Sequence, residues 1–200
     1  MSQRLSIILP VYNVETKLDR KVRELLDVVT DLTSDFEVMI VDDGSTDDTE
    51  EVSMELDREY PQVQILRHAG RKGPMGAARA GIAGTRGDIV LIHDIQSPIS
   101  GQAIQQLWEM RNDDDVVFAR SDASHADRVP SSTGAPTWSG TQMLRRDAVS
   151  ELQDASTRKP TIDRITRTDV GEEVNNPTSI LRQLTEPDTR TVNQTGRGRG

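Results

Sequence analysis

The chain has 200 residues, no cysteine, and 24 Lys and Arg against 33 Asp and Glu, which gives a net charge of −9. This length suits one domain, and the acidic balance disfavours a nucleic-acid binder because phosphate backbones reward clustered positive charge. The absence of cysteine excludes a disulfide framework and a thiolate nucleophile. The apolar run before Pro10 is too short for a signal peptide or a membrane span. We therefore expect a cytoplasmic protein without a transmembrane segment.

Short apolar runs alternate with helical patterns along the first 120 residues. Strands are predicted at residues 5–9, where Pro10 is expected to end the run, and at 36–41, 63–66, 89–92 and 116–119. Helices are predicted at 18–32, 45–60, 77–83 and 104–108, mostly from apolar residues three to four positions apart. Because each parallel connection must cross over, this alternation predicts an α/β fold with a mostly parallel sheet and helices on both faces.

The pattern weakens after about residue 120. Residues 142–152 are predicted to form a short helix. From residue 153 to residue 200, scattered apolar side chains lie among Thr, Arg, Asp, Asn and Pro, too few for a core. The expected organisation is one domain over residues 1–152 followed by a weakly structured tail.

Polar residues follow several of the predicted strands. In open α/β sheets, ligands bind beyond the carboxyl ends of the strands, so the loops that start at Pro10, Asp42, Arg67 and His93 are expected to gather along one edge. Asp42 and Asp43 begin the segment DDGSTDD, which suits a strand-to-helix turn. The same acids could accept hydrogen bonds from a nucleotide base or ribose, and the residues alone leave these interpretations equal.

The segment HAGRKGPMGAARAG at residues 68–81 is rich in glycine and contains two cations, Arg71 and Lys72. Glycine permits close approach of the backbone, and a helix start with nearby cations could hold phosphate. It matches neither the P-loop nor the dinucleotide fingerprint. Taken alone, it is better explained as a plain loop before a tightly packed helix.

The strand at residues 89–92 leads into His93, Asp94 and Gln96. Asp94 would present a carboxylate to the cleft, whereas position 96 offers only an amide oxygen to a cation. Mg²⁺ is often held by one or two carboxylates together with substrate phosphates, so a site of Asp94 and Gln96 is expected to bind a metal weakly or to have lost it. Strand alternation predicts that His93 points away from Asp94 and packs in the core.

These segments together resemble a known family. LSIILPVYN, EVMIVDDGSTDDTEE and GAARAGIAGTRGDIVLIHD, in this order, are similar to the family 2 glycosyltransferases, especially the branch with dolichol-phosphate mannose synthases and other polyprenyl-phosphate glycosyltransferases. The likeness covers about residues 4–110, the donor half of such enzymes. The segment TWSGTQMLRRDAV at residues 137–149 is more weakly similar to a later segment of the same family.

The resemblance implies a single GT-A domain, a Rossmann-like fold that transfers a sugar from a UDP- or GDP-linked donor. Its implied donor-binding residues are Pro10, Tyr12, Asn13, Asp42, Asp43, Gly73, Arg79 and Asp94. The family's DxD motif falls on Asp94 and Gln96, which implies a divalent metal, Mg²⁺ or Mn²⁺, weakened by the amide. A lipid phosphate or a glycan is the implied acceptor.

The acceptor half departs from the family pattern. No residue matches the family's catalytic acid; Asp122 and Asp127 are the acids nearest its place, and each also suits a solvated loop. The glycine-lysine-glycine of related enzymes is replaced by Gly73, Pro74 and Met75. The predicted function is an inverting glycosyltransferase; the alternative is a degenerate relative that binds a nucleotide sugar or a partner without transfer.

Overall fold

A computed structural model describes residues 3–112, 118–121 and 140–147. Within these residues the strands are β1 (Leu5–Val11), β2 (Phe36–Asp42), β3 (Val63–Arg67), β4 (Ile89–His93), β5 (Phe118–Ser121) and β6 (Thr141–Arg145). The helices are α1 (Glu15–Thr30), α2 (Thr49–Glu59), α3 (Gly73–Gly84) and α4 (Gly101–Glu109), and the 3-10 helix Met110–Asn112 follows α4. No helix in the described part of the chain is both long enough and apolar enough to cross a membrane.

The described strands form one sheet in the order β3-β2-β1-β4-β6-β5. The first four strands are parallel, whereas β6 runs antiparallel to both β4 and β5. The chain moves outward from β1 to β2 and β3, and then returns to place β4 on the other side of β1. The order of the strands therefore reverses between β1 and β4, which is where open α/β sheets bind ligands.

Strand β1 continues through Pro10 to Val11, so the prediction that Pro10 ends the strand is wrong. The carbonyl of Val11 accepts a hydrogen bond from the Asp43 amide, on the side of β2. Since alternate residues of a strand bond to opposite neighbours, the missing N–H of Pro10 faces β4, whose pairing with β1 stops at Ile8. The proline thus lies where β1 and β4 have separated.

Helices cover both faces of the sheet, as predicted. On one face, the buried stripe of α1 packs with residues from α2 and α4 against alternate side chains of β1, among them Leu5, Ile7 and Leu9. On the other face, Ile8 packs against the small residues of α3. A Cβ at Gly81 of α3 would lie 2.4 Å from Cγ2 of Ile8, so this helix approaches the sheet more closely than a larger residue would allow.

The helix predicted at residues 142–152 is wrong for its first part, because residues 142–145 belong to β6. Met143 packs on one face of the sheet and Leu144 on the other, and β6 pairs on both sides, with β4 and β5. This tertiary pairing overrides the local preference for a helix. The fifth predicted strand is present at Phe118–Ser121, which extends it to Ser121, and its predicted first residues, 116 and 117, lie outside the described residues. Residues 148–200 lie outside the described residues, so the domain boundary and the tail stay predictions.

A buried carboxylate ties the amino ends of the central strands together. Glu37 of β2 accepts hydrogen bonds from the Ser6 hydroxyl at 2.7 Å, the Arg86 amide at 2.7 Å and the Gly87 amide at 3.2 Å. Burial opposes ionisation of Glu37, but these hydrogen bonds and the nearby charge of Arg4 hold its pKa below the usual value. The network joins β1, β2 and the entry to β4 at the edge opposite the carboxyl ends.

Substituting Glu37→Gln is expected to lower the free energy of unfolding by about 2 kcal/mol at pH 7, because one amide cannot replace a carboxylate that accepts several buried hydrogen bonds. A carboxyl group with a depressed pKa stabilises the fold above its unfolded pKa of about 4.3, and this contribution is lost as the pH falls through its folded pKa. Urea unfolding should therefore give a wild-type-to-variant difference that shrinks below about pH 4. The exposed Glu55→Gln serves as the control; a difference independent of pH would contradict the charge-based explanation.

Candidate functional site

A cleft of about 230 Å³ opens at the carboxyl ends of β1, β2 and β4. It lies where the strand order reverses, so the loops after these three strands supply most of its walls. The lining residues are Pro10, Val11, Tyr12, Asp43, Arg71, Pro74, Asp94, Ile95 and Gln96. Of the site residues predicted from the sequence, this set contains Pro10, Tyr12, Asp43, Asp94 and Gln96.

Tyr12 and Arg71 form one wall of the cleft together. The guanidinium carbon of Arg71 lies 3.9 Å from the centroid of the Tyr12 ring, within the range of a cation–π contact. The stack places a positive charge and an aromatic face at the cleft. These are chemical features that suit a phosphate and a base or sugar ring, respectively.

Asn13 links the loops after β1 and β2 rather than lining the cleft. Its φ of 51° lies in the left-handed region, which asparagine tolerates better than most residues. Its side-chain oxygen accepts a hydrogen bond from the Thr46 amide at 2.9 Å, and its own amide donates to the Ser45 hydroxyl at 3.0 Å. The bonds of Asn13 therefore fix the position of the adjacent Tyr12.

Asp42 builds the turn after β2 and does not line the cleft. It is fully buried, and one carboxylate oxygen accepts hydrogen bonds from the amide of Ser45 at 2.9 Å and from its hydroxyl at 2.5 Å. The other oxygen lies 3.4 Å from Nε of Arg67 at the end of β3. Of the two interpretations open from the sequence, the geometry of Asp42 matches the turn.

Asp43 holds the glycine-rich loop over the cleft. One of its oxygens accepts hydrogen bonds from Nδ1 of His68 at 2.9 Å and from the Lys72 amide at 2.8 Å, and the other accepts from the Gly73 amide at 2.7 Å. Because an ionised carboxylate only accepts, Nδ1 of His68 carries the proton. The side chain is 4% exposed, and the residue also lines the cleft. Asp43 is thus both an anchor of the loop and a wall residue.

Two glycines adopt backbone conformations that the loop requires. Gly73, the first residue of α3, has a φ of 81° and donates its amide to Asp43. Gly44 has a φ of 76°, and a Cβ there would lie 3.3 Å from the backbone of Gly70 and Arg71. Other residues adopt such positive φ values only rarely, so the glycines let the turn after β2 and the glycine-rich loop meet closely.

The predicted site residues that remain are Arg79, Asp122 and Asp127. Arg79 lies on α3, is partly buried and is not among the residues that line the cleft. Asp122 and Asp127 lie outside the described residues, so their suggested catalytic role stays a prediction.

A tight turn over residues 94–97 carries Asp94 and Gln96. One carboxylate oxygen of Asp94 accepts from the Gln96 amide at 3.0 Å, and the other accepts from the Ser97 hydroxyl at 2.9 Å. The Asp94 amide donates to the carbonyl of Gly140 at 3.0 Å, and the Gly140 amide donates back to the Ser97 hydroxyl at 2.9 Å. Both oxygens of Asp94 therefore already accept a hydrogen bond within the turn.

His93 is buried in the sheet, where its Nδ1 lies 2.9 Å from the Thr141 hydroxyl. Burial, which penalises the charged form, lowers the pKa of His93 to about 4, although the charge of Asp94 acts in the opposite direction. His93 is consequently neutral at pH 7. The expectation that it packs rather than entering the cleft is confirmed.

Two lysines from α1 bind the same turn, and the sequence analysis missed both. The ammonium of Lys17 donates to the side-chain oxygen of Gln96 at 3.0 Å, and the buried ammonium of Lys21 donates to the Ser97 carbonyl at 3.1 Å. Because these lysines are four residues apart, they lie on one face of the helix. This spacing beside the apolar stripe is the signal that could have identified them.

The resident side chains do not fit the divalent metal that the DxD resemblance implies. Within the described residues, no group of three or more His, Cys, Asp or Glu side chains is placed to hold a metal ion. Asp94 supplies the one carboxylate of this turn, and the amide oxygen of Gln96 accepts a hydrogen bond from the ammonium of Lys17. This pair offers a dication one negative charge instead of the two of a DxD motif, and the ammonium of Lys17 beside Gln96 would repel it.

Curated relatives of the chain are glycosyltransferases. The chain is 30% identical to the dolichyl-phosphate beta-glucosyltransferase ALG5A of Trichomonas vaginalis over 138 residues, which cover 63% of this chain and 43% of that protein. This match confirms the predicted likeness to the polyprenyl-phosphate branch. The chain spans less than half the length of the first curated relatives that it matches.

Solved structures with the same architecture are also glycosyltransferases. The mannosyltransferase PcManGT from Pyrobaculum calidifontis, in complex with GDP-Man and Mn²⁺, aligns with a TM-score of 0.56 and 19% identity over 76% of this chain and 47% of its own. Glucosyl-3-phosphoglycerate synthase from Mycobacterium tuberculosis, in a complex with Mn²⁺, UDP and glucosyl-3-phosphoglycerate, aligns with a TM-score of 0.58 and 19% identity over 94% and 82%. These similarities confirm the predicted GT-A fold.

The model of the family described as "Glycosyl transferase family 2" matches residues 6–153. This range begins at the second residue of β1 and includes β2 to β6 in full. The chain therefore belongs to glycosyltransferase family 2.

Proposed function

We propose that the chain binds a nucleoside-diphosphate sugar in the cleft and transfers the sugar to an acceptor with inversion. The observation that carries this proposal is the convergence of Tyr12, Asp43 and Asp94 on one cleft at the reversal of the strand order. These residues follow three different strands, and they share a cleft only in the folded chain. Membership of family 2 supports the same reaction class.

The chemistry of the cleft suits the parts of such a donor. The Tyr12 ring offers a face on which a base can stack, and the Arg71 guanidinium offers paired donors to a phosphate. Asp94 can accept hydrogen bonds from ribose hydroxyls, because each carboxylate oxygen has a lone pair beyond the one used in its turn. UDP and GDP are the proposed carriers, in keeping with the nucleotides named for the two solved relatives.

We also propose an acceptor, an acceptor base and a location. A lipid phosphate is the proposed acceptor, supported by the dolichyl-phosphate transferase among the relatives. Asp122 and Asp127 stay the proposed sources of an acceptor base. A cytosolic location is proposed from the absence of cysteine.

Binding of UDP and GDP, measured by isothermal titration with Mn²⁺ or with a chelator, tests the donor site. Substituting Tyr12→Ala is expected to weaken binding about tenfold or more, since stacking of a base on an aromatic ring contributes about 1–3 kcal/mol. Tyr60→Ala is the matched control, because Tyr60 also lies beneath an arginine, Arg23, but is not a lining residue of the cleft. Equal losses in the two variants would refute the assignment of Tyr12 to the donor site.

Transfer is tested separately from binding. Purified chain is incubated with UDP- or GDP-sugars and a polyprenyl phosphate, and release of the nucleoside diphosphate is followed together with the anomeric configuration of the product. Product of inverted configuration is the expected result. Nucleotide binding without any transfer would support the binding-only alternative.

A further inference from the structure

Two lysines of the protein bind the turn over residues 94–97, which holds Asp94 and Gln96 at the place of the DxD motif. The ammonium of Lys17 lies 3.0 Å from the side-chain oxygen of Gln96, which lines the cleft. Lys21, one helical turn later, holds the Ser97 carbonyl and is only 10% exposed at its side chain. Lys21 thus tethers the turn to α1, and this tether keeps Lys17 beside position 96.

The negative charges of the cleft would repel the diphosphate of a donor unless a further cation lay nearby. Asp43 and Asp94 line the cleft as acids, and Arg71 is the cation among the described lining residues. A nucleoside diphosphate would bring more negative charge into this space, and like charges at close range repel. The amides and His68 that contact Asp43 offset part of its charge, whereas within the described residues the oxygens of Asp94 accept from one amide and one hydroxyl.

We propose that the ammonium of Lys17 takes the place of a divalent metal in this chain, so that donor binding requires no metal. This inference rests on the proposed function, because it concerns the diphosphate of the same donor. A neutral amide at position 96 can accept from an ammonium without competing for it as a carboxylate would, which leaves the other ammonium protons free to bind phosphate. Lys17 is exposed and has a flexible stem, so its ammonium can turn from Gln96 toward a bound diphosphate.

The test is titration of UDP and GDP into wild type and three variants, each with Mn²⁺ and with a chelator. Wild type is expected to bind with an affinity that changes less than about twofold between the two conditions. Lys17→Gln is expected to bind about tenfold more weakly in both, because it loses a charge-assisted hydrogen bond to phosphate. The double variant with Lys17→Gln and Gln96→Asp is expected to bind about tenfold more tightly with Mn²⁺ than with the chelator. It places a second acid beside Asp94 and removes the competing ammonium.

The matched control is Arg20→Gln. Arg20 lies on the same helix with 70% of its side chain exposed, and its substitution removes the same unit of charge. Its affinity for both nucleotides is expected to match that of wild type, which separates a local role of Lys17 from a change in net charge. Equal weakening by the Lys17 and Arg20 variants would overturn the inference.

The inference and the proposed function fail in different ways. If wild type binds UDP or GDP only when Mn²⁺ is present, the proposed function stands and the role of Lys17 is wrong. If wild type binds neither nucleotide in either condition, the proposed function and the inference are both overturned. Thermal unfolding of each variant distinguishes lost binding from lost folding.

Discussion

Substituting Asp43→Asn is expected to lower the free energy of unfolding by about 3–5 kcal/mol and to weaken binding of UDP and GDP by more than about tenfold. The buried carboxylate accepts three hydrogen bonds, from His68, Lys72 and Gly73. An asparagine would turn an amide N–H₂ group toward at least one of these donors and leave it without a partner. The glycine-rich loop would then lose its anchor, and with it the position of Arg71 over Tyr12.

Urea unfolding and nucleotide titration measure the two effects on the same protein sample. Asp57→Asn is the matched control, because Asp57 is exposed on α2 and is not a lining residue of the cleft. It is expected to leave both the stability and the affinity close to those of wild type. If Asp43→Asn were as stable as this control, the hydrogen bonds of Asp43 would not be what holds the loop.

Substituting Gly87→Ala is expected to lower the free energy of unfolding by about 3 kcal/mol, combining overpacking with damage to a buried hydrogen-bond network. A Cβ at position 87 would lie 2.5 Å from the amide nitrogen and the hydroxyl of Ser6 and 2.8 Å from the carbonyl carbon of Leu5. Two of these three atoms are backbone atoms of β1, so no rotamer change can make room. The Gly87 amide also donates to the Ser6 hydroxyl at 2.7 Å, and this bond would be disrupted.

Gly70→Ala is the control for the same change of residue, since a Cβ at Gly70 would meet no atom within 4 Å. Its stability is expected to stay within about 1 kcal/mol of wild type. The shift in the urea midpoint of both variants is the measurement. A Gly87 variant that unfolds at the same urea concentration as the Gly70 variant would show that the strand can move aside without penalty.

The parallel part of the fold was predictable because each strand contains a short, mostly apolar segment of its own. The segments 36–41 and 89–92 are buried on both faces, which removes the ambiguity of an alternating pattern. Strand β6 was not predictable in the same way. Its sequence TQMLR contains only two large apolar residues, and it becomes a strand because β4 and β5 offer hydrogen bonds on either side.

The part of the candidate site that lies at strand ends was predictable from the sequence. Tyr12, Asp43 and Asp94 each follow a strand end, so the rule for parallel sheets brings them together. The rule does not say which acid is used for structure, and Asp42 turned out to be buried in its own turn. Lys17 could not be found from strand ends, because its partner Gln96 is 79 residues away in the sequence and the pair forms only in the folded chain.

Strand β6 prevents the donor half from being a complete structural unit without it. The resemblance at residues 4–110 covers only a donor half, and in a fragment of those residues alone β4 would be an edge strand with its outer N–H and C=O groups unpaired. In the whole chain, β6 pairs with all five residues of β4, and Gly140 closes the turn that carries Asp94. The cleft is consequently a product of both segments, and a fragment that ends at α4 would present an open sheet edge directly beside the donor site.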